Sequence, residues 1–220
     1  MLLLRSLSRW FFRHFYREFA WTYDFVASLV SIGRWDDWIQ TVIPFISGER
    51  ILEIGHGPGH LQNQLINIKQ VVVGLDESSQ MGRIAKRNLW KAGQSRIKLT
   101  RGRGESLPFE VNYFNTVVST FPTEYIFDIN TLKEIHRVLQ EDGRFIVLPA
   151  AWIVGQKFLD RIAAWLFRIT GQVPDFPHTI ISQRLKPSFE EAGFNPIFQT
   201  IEIKSSVVLI INAGKNTNGI

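Results

Sequence analysis

Three glycines at alternate positions, Gly55, Gly57 and Gly59, follow the apolar run Ile51–Ile54, whose one acid is Glu53. Glycines in such a turn let the backbone pass close to a ligand without Cβ interference. At the carboxyl end of a parallel strand, that is where doubly wound sheets take nucleotides. A second apolar run, Val71-Val72-Val73-Gly74-Leu75, ends in Asp76. It comes about 20 residues later, the interval expected of a ribose-binding acid. The two oxygens of an ionised carboxylate can accept both hydroxyls of an adenosine ribose. A nicotinamide fingerprint would read G-x-G-x-x-G. Here Gly55 and Gly57 fit, but the last position is His60 and the third glycine comes one residue early.

The spacing Glu53-x-Gly55-x-Gly57-x-Gly59 instead resembles the first motif of class I S-adenosylmethionine-dependent methyltransferases. Four further segments follow in the order of that family. Asp76-Glu77-Ser78-Ser79-Gln80-Met81 resembles its D-x-S-x-x-M pattern, and Gly102-Arg103-Gly104-Glu105-Ser106-Leu107-Pro108-Phe109 its G-D-A-E-x-L-P-F segment. Phe114-Asn115-Thr116-Val117-Val118-Ser119 resembles the fourth strand, and Leu132 to Gly143 is close to L-x-E-x-x-R-V-L-x-P-G-G. The resemblance covers roughly residues 50–150 and implies S-adenosyl-L-methionine as cofactor. It places Glu53, Gly55, His56, Gly57 and Gly59 at the cofactor turn, Asp76 at the ribose with the cofactor-binding Glu77 next to it, and Met81 against the adenine. Gly104 and Glu105 fall on the adenine side. Ser119 and Thr120, at the end of the fourth strand, also fall among the cofactor-binding residues, beside the segment where the acceptor enters. One position departs from the pattern. Where the family carries an aspartate that accepts from the adenine amino group, this chain has Arg103. A guanidinium has donors and no acceptor, so a carbonyl near Gly104 or the Glu105 carboxylate would have to take over.

Ahead of the core, Tyr23-Asp24 and Ser31-Ile32-Gly33-Arg34-Trp35-Asp36-Asp37-Trp38 resemble elements of quinone-biosynthesis methyltransferases. The Y-D and G-R elements also occur in bacterial phospholipid N-methyltransferases. By that resemblance these segments form a helical cap, with Tyr23 near the methionine end of the cofactor. The implied acceptor is a small, lipophilic molecule. A regulatory protein that binds the cofactor without transferring a methyl group, and a methyltransferase acting on RNA or protein, stay open as alternatives.

Several of these residues have simpler roles available. Asp76 could cap a helix, Met81 could fill core space, and Tyr23 could only pack in the cap. His56 and His60 read as turn and helix-start residues rather than as a base or metal pair, since no third ligand stands nearby. His136 shares a helical pattern with Leu132, Ile135 and Leu139 and reads as structural. After the fourth strand, Glu124 and Tyr125 could orient an acceptor or take its proton, or be ordinary loop residues. The sulfonium methyl is already an electrophile, so positioning can supply much of the rate. No catalytic residue is assigned, and no metal is expected.

The chain has 220 residues, 45% of them hydrophobic, enough to bury one full core without splitting. Cysteine is absent, which excludes disulfides and thiolate chemistry. No run reaches the roughly 18 apolar residues of a spanning helix, and Met1-Leu2-Leu3-Leu4-Arg5 is too quickly charged for a secretory signal. A cytoplasmic protein is expected. The net charge of +5 is unevenly placed: Arg5, Arg9, Arg13 and Arg17 form one helical stripe beside Trp10, Phe11, Phe12 and Phe15. That composition suits either a helix lying on a membrane surface or a lid packed on the core. Nucleic-acid binding is the less favoured third reading.

The elements that must hold these residues follow from periodicity. Residues 1–46 are expected to form the helical cap, and 47–220 one S-adenosylmethionine-binding domain. Strands are predicted near 50–54, 71–75, 96–100, 114–119 and 144–149, alternating with helices. That alternation argues a parallel sheet covered on both faces. Residues 151–169 read as a long helix, and Ser182–Ala192 as another, with Pro187 marking a helix start. Pro196–Ile203 and Ser206–Ile211 would close the sheet. The expected fold is α/β, a Rossmann-like, doubly wound sheet of seven strands with the last antiparallel by resemblance, plus the N-terminal cap.

Overall fold

The computed structural model of the chain describes residues 34–69, 71–154 and 178–216. The arginine stripe, Tyr23, and most of the helix expected over 151–169 lie outside the described residues.

Seven strands form one sheet: β1 (Arg50–Ile54), β2 (Val71–Asp76), β3 (Leu99–Arg101), β4 (Phe114–Thr120), β5 (Leu139–Ile153), β6 (Phe194–Ile203) and β7 (Ser206–Lys215). Their order is β3-β2-β1-β4-β5-β7-β6. β1 to β5 pair in parallel, while β7 runs antiparallel to both β5 and β6. The strand order reverses between β1 and β4. That switch point opens a crevice at the carboxyl ends of the strands, the ligand position of open α/β sheets.

Helices cover both faces. On one side lie α1 (Trp35–Gln40), α2 (His60–Ile68) and α3 (Ser79–Lys91); on the other, α4 (Ile129–Val138) and α5 (His178–Glu191). Side-chain alternation sorts β1 between two cores. Ile51 packs with Trp38, Leu61, Leu65 and Leu89, whereas Leu52 and Ile54 pack with Ile126, Leu132, Ile135 and Phe189. Glu53 therefore shares the face of Ile51, toward α2. In β4 the register against β5 shifts between Phe114 and Thr116. That irregularity lets Phe114 and Val117, three residues apart, serve the same core.

Several boundaries differ from the sequence reading. β5 begins at Leu139 and continues through Ile153, so residues 151–153 are strand and not helix. Their partners explain it, because Ala151, Trp152 and Ile153 pair with Val208, Val207 and Ser206 of β7. β3 occupies Leu99–Arg101 rather than 96–100. α5 begins at His178 and runs through Pro187, which therefore marks no start. Phe189 and Ala192 are buried in the core beyond the proline, and that packing holds the helix across the lost hydrogen bond. Gly143, the last residue of the L-x-E-x-x-R-V-L-x-P-G-G match, lies within β5, where a Cβ would come 2.7 Å from the Gln140 carbonyl oxygen.

Candidate active site

β1 ends at the crevice, and the chain then turns through Gly55, Gly57 and Gly59 into α2. All three glycines have positive φ, at 75°, 51° and 91°, a conformation that costs other residues energy. Gly59 needs to be small as well, since a Cβ there would come 3.2 Å from the Ala85 Cβ of α3. Gly57 is different. A Cβ there would meet no atom within 4 Å, so the turn presents bare backbone to open space. Bare backbone at the end of β1 can let a ligand approach closely.

Asp76, at the end of β2, faces this turn. One carboxylate oxygen accepts from the Gly57 N–H at 2.9 Å and the other from the Ser78 N–H at 2.8 Å. Each oxygen keeps a second lone pair, so the carboxylate can brace the turn and still accept two ligand hydroxyls. The capping role does not fall to Asp76. Ser78 is the N-cap of α3, and its hydroxyl accepts from the Met81 N–H. Met81 is 8% exposed and sits in the first turn of α3. His56 is buried, with Nδ1 donating to the Gly57 carbonyl at 2.8 Å. Burial lowers its pKa, partly opposed by the Asp76 charge and that hydrogen bond, so it is a neutral brace of the turn. His60 stands apart from it, 3.8 Å from Asp36 of α1.

Glu53 lies beneath the turn, 1% exposed. It accepts from the Gln62 amide at 2.8 Å. Burial pushes its pKa up to about 8, against the Gln62 hydrogen bond and with help from the Asp76 charge. The Gln62 Oε1 is buried without a partner among the described residues. A protonated Glu53 answers both facts, since its O–H can donate to that oxygen while its other oxygen accepts the amide.

From the far side, the segment after β3 closes in. Gly104 is buried, and a Cβ there would come 2.9 Å from the Thr131 methyl and 3.2 Å from the Tyr125 ring. Arg103, the departure from the family pattern, places its Nε 3.5 Å from Glu105 and 3.8 Å from Glu77. The cation thus ties two acceptor carboxylates at the rim. These side chains are largely exposed, so the pairs themselves contribute little stability. The segment is held from behind by α4. Arg137 donates to the carbonyls of Leu107 and Phe109 at 2.9 and 2.8 Å and forks onto Glu134, which also accepts from the Leu107 N–H. The E-x-x-R of the sequence signature is therefore a clamp on the loop.

After β4, the structure separates residues that the sequence left together. The Ser119 hydroxyl donates to the Ile54 carbonyl at 2.7 Å, which joins β4 to the end of β1. Thr120 follows at the rim, and Glu124 is exposed. Tyr125 turns inward from a 3-10 turn (Glu124–Phe127), its hydroxyl 3.0 Å from where a Gly55 Cβ would stand. Burial, reinforced by Asp76, Glu77, Glu105 and Glu53, raises the phenol above its ordinary range, so it remains protonated. It can donate a hydrogen bond but cannot serve as a base near neutral pH. An aromatic group that sequence reasoning missed follows β4: Phe121 stacks on Trp35 at 4.3 Å, and the buried Trp38 lies 6.1 Å from Phe121. Only the meeting of α1 with the end of β4 reveals it.

Comparison with known proteins agrees with this geometry. Over 212 residues the chain is 28% identical to a demethylmenaquinone methyltransferase of Symbiobacterium thermophilum, covering 83% of this chain and 84% of that protein. It is 28% identical over 144 residues to a ubiquinone/menaquinone biosynthesis C-methyltransferase of Coxiella burnetii, covering 62% of this chain and 58% of that one. The fold matches a putative S-adenosyl-L-methionine-dependent methyltransferase of Methanococcus maripaludis with a TM-score of 0.67. That match has 24% identity and covers 93% and 95% of the two chains. The sequence profile of the ubiE/COQ5 methyltransferase family matches residues 8–195. This chain, an S-adenosylmethionine-dependent methyltransferase, belongs to the ubiE/COQ5 methyltransferase family.

Proposed function

We propose that the methyl acceptor is a small, lipophilic, planar molecule of the quinone-precursor type, methylated at carbon. The observation that carries this reading is the stack of Trp35 on Phe121, which directly follows Thr120 at the end of β4. Stacked rings beside the carboxyl end of β4 suit an apolar ring better than a charged chain. The names of the two relatives point the same way, toward acceptors used in quinone biosynthesis.

The residues of the crevice are suited to distinct parts of the cofactor. Asp76 would take the ribose hydroxyls, and the backbone at Gly55 and Gly57 the methionine portion. Met81, Gly104 and Glu105 would enclose the adenine, with Glu77 at its edge. S-adenosylmethionine supplies, when bound, a methyl group on a positively charged sulfur that is open to in-line attack. The protein's part is to align the acceptor and exclude water. Tyr125 closes the space between Gly55 and Gly104, and Ser119 fixes the end of β4 against β1. The carboxylates of Asp76, Glu77 and Glu105 favour a cationic ligand in this crevice.

Transfer of a labelled methyl group from S-adenosylmethionine to demethylmenaquinone tests the reading. Label is expected in the extracted quinone, on carbon. Label found only in protein or RNA, with none in any apolar acceptor, would overturn it.

A further inference from the structure

Between Ser78 and Gly104 the chain carries eight Lys and Arg residues and no Asp or Glu, against a net charge of +5 for the whole sequence. The fold gathers this stretch on one edge, because it comprises the whole of α3 and the edge strand β3. There a cleft of about 470 Å³ opens between helix and strand. Arg83 and Lys86 line it from α3, and Arg101 from the end of β3. Among the described residues, Arg83 and Lys86 have no ion-pair partner. Arg101 donates its Nε–H to the Glu77 carbonyl at 3.0 Å. That bond holds the guanidinium in place without neutralising it.

The remaining walls suit an anion with an apolar body. Ser79 and Thr100 add hydroxyl donors, while Ile97 and Leu99 form a partly buried apolar floor. Asp76 borders the cleft on the wall shared with the crevice, its oxygens held by the Gly57 and Ser78 N–H groups. Position 82 keeps the space open, since a Cβ on Gly82 would meet nothing within 4 Å. Guanidinium groups match phosphate oxygens in pairs, and a lysine adds a mobile point charge.

We propose that the α3–β3 cleft is a second binding site of this protein, for a ligand that carries a phosphate or diphosphate group on an apolar body. The site lies on the edge of the sheet, and neither Tyr125, Phe121 nor Trp35 lines it. It shares with the cofactor crevice only the wall made by His56 and Asp76. Any effect of one ligand on the affinity of the other would pass through that wall and be reciprocal.

The test uses the full chain with two probes. Inorganic pyrophosphate is titrated calorimetrically, and co-sedimentation is measured with phosphatidylcholine vesicles with and without phosphatidic acid. Arg83→Gln/Lys86→Gln and Gly82→Leu should each weaken binding of the responding probe about tenfold or more, as expected for lost charge-assisted contacts or a filled cleft. Arg87→Gln/Lys91→Gln removes the same charge from α3 outside the lining and should bind like wild type. Titration with S-adenosylmethionine checks that each variant is folded. A response to pyrophosphate identifies a soluble phosphorylated ligand, and a response to phosphatidic acid alone a lipid headgroup. The proposal falls if wild type responds to neither probe. It falls equally if the Arg87/Lys91 variant loses as much as the Arg83/Lys86 variant, because overall charge and not the cleft would then be at work.

Discussion

Glu53→Gln isolates the charge state of the one carboxyl buried beneath the glycine turn. In the unfolded chain Glu53 ionises near 4.5; in the folded protein burial pushes it up to about 8. Between these values the unfolded state has released its proton and the folded state has not, so each step upward in pH favours unfolding. The contribution is fully present below pH 4.5 and is lost progressively as pH rises toward 8, where the folded carboxyl ionises too. Each pH unit within that window corresponds to about 1.4 kcal/mol. From about pH 5 to about pH 7.5 the wild type should therefore lose roughly 3 kcal/mol that the glutamine variant keeps. The variant should fold, because the substituted amide can accept from the Gln62 amide as Glu53 does and donate to the partnerless Gln62 Oε1. Urea unfolding of both proteins without cofactor, across this pH range, gives the difference directly, since every other titrating group is common to the two. Stability curves that run parallel across that range would refute the neutral Glu53.

Other changes probe the rest of the crevice. Asp76→Ala removes the brace on Gly57 and Ser78 as well as the ribose acceptor, and calorimetry should show cofactor affinity reduced by ~2–3 kcal/mol, the scale of hydrogen bonds to a charged group. Gly57→Ala meets no protein atom and should remain folded, at a cost of ~1 kcal/mol for its positive φ. It should nonetheless lose cofactor binding, whereas Gly214→Ala, equally free of contacts, should bind as wild type does. Arg137→Ala releases the Leu107 and Phe109 carbonyls together with Glu134, and should cost ~2–4 kcal/mol in chemical denaturation. Tyr125→Phe should preserve cofactor affinity and leave the pH profile of activity unchanged from about 6 to about 9, a range in which the phenol stays protonated. Tyr125→Ala, which opens the gap between Gly55 and Gly104, should weaken cofactor binding measurably in the same titration.

What could be read in the chain were features that short spacings encode. Three alternating glycines after Ile54 announce a tight strand-to-helix turn, because each sits where only positive φ closes it. Asp76 at the end of an apolar run marks the neighbouring strand, and the alternation of strands and helices implies a parallel sheet covered on both faces. These are local facts, decided within a few residues. Where nearby residues and distant partners disagreed, the distant partners prevailed. Residues 151–153 look helical by periodicity, but β7 pairs with them as strand. Pro187 looks like a helix start, but the burial of Phe189 carries the helix through it.

The site itself depended still more on tertiary contacts. Nothing near Glu53 in sequence shows that it is sealed against Gln62 and so favours the neutral form. The E-x-x-R pair of α4 declares itself a clamp only when Leu107 and Phe109 arrive from a distant part of the chain. Glu124 and Tyr125 are adjacent in the chain, but the 3-10 turn sends one to solvent and the other into the crevice. Phe121 and Trp35 become a ring stack only through packing of α1 on the end of β4. Sequence determines which groups are available and which turns they can make. Burial, protonation and the meeting of side chains depend on the surfaces brought together by the complete fold, and so only the tertiary structure decides them.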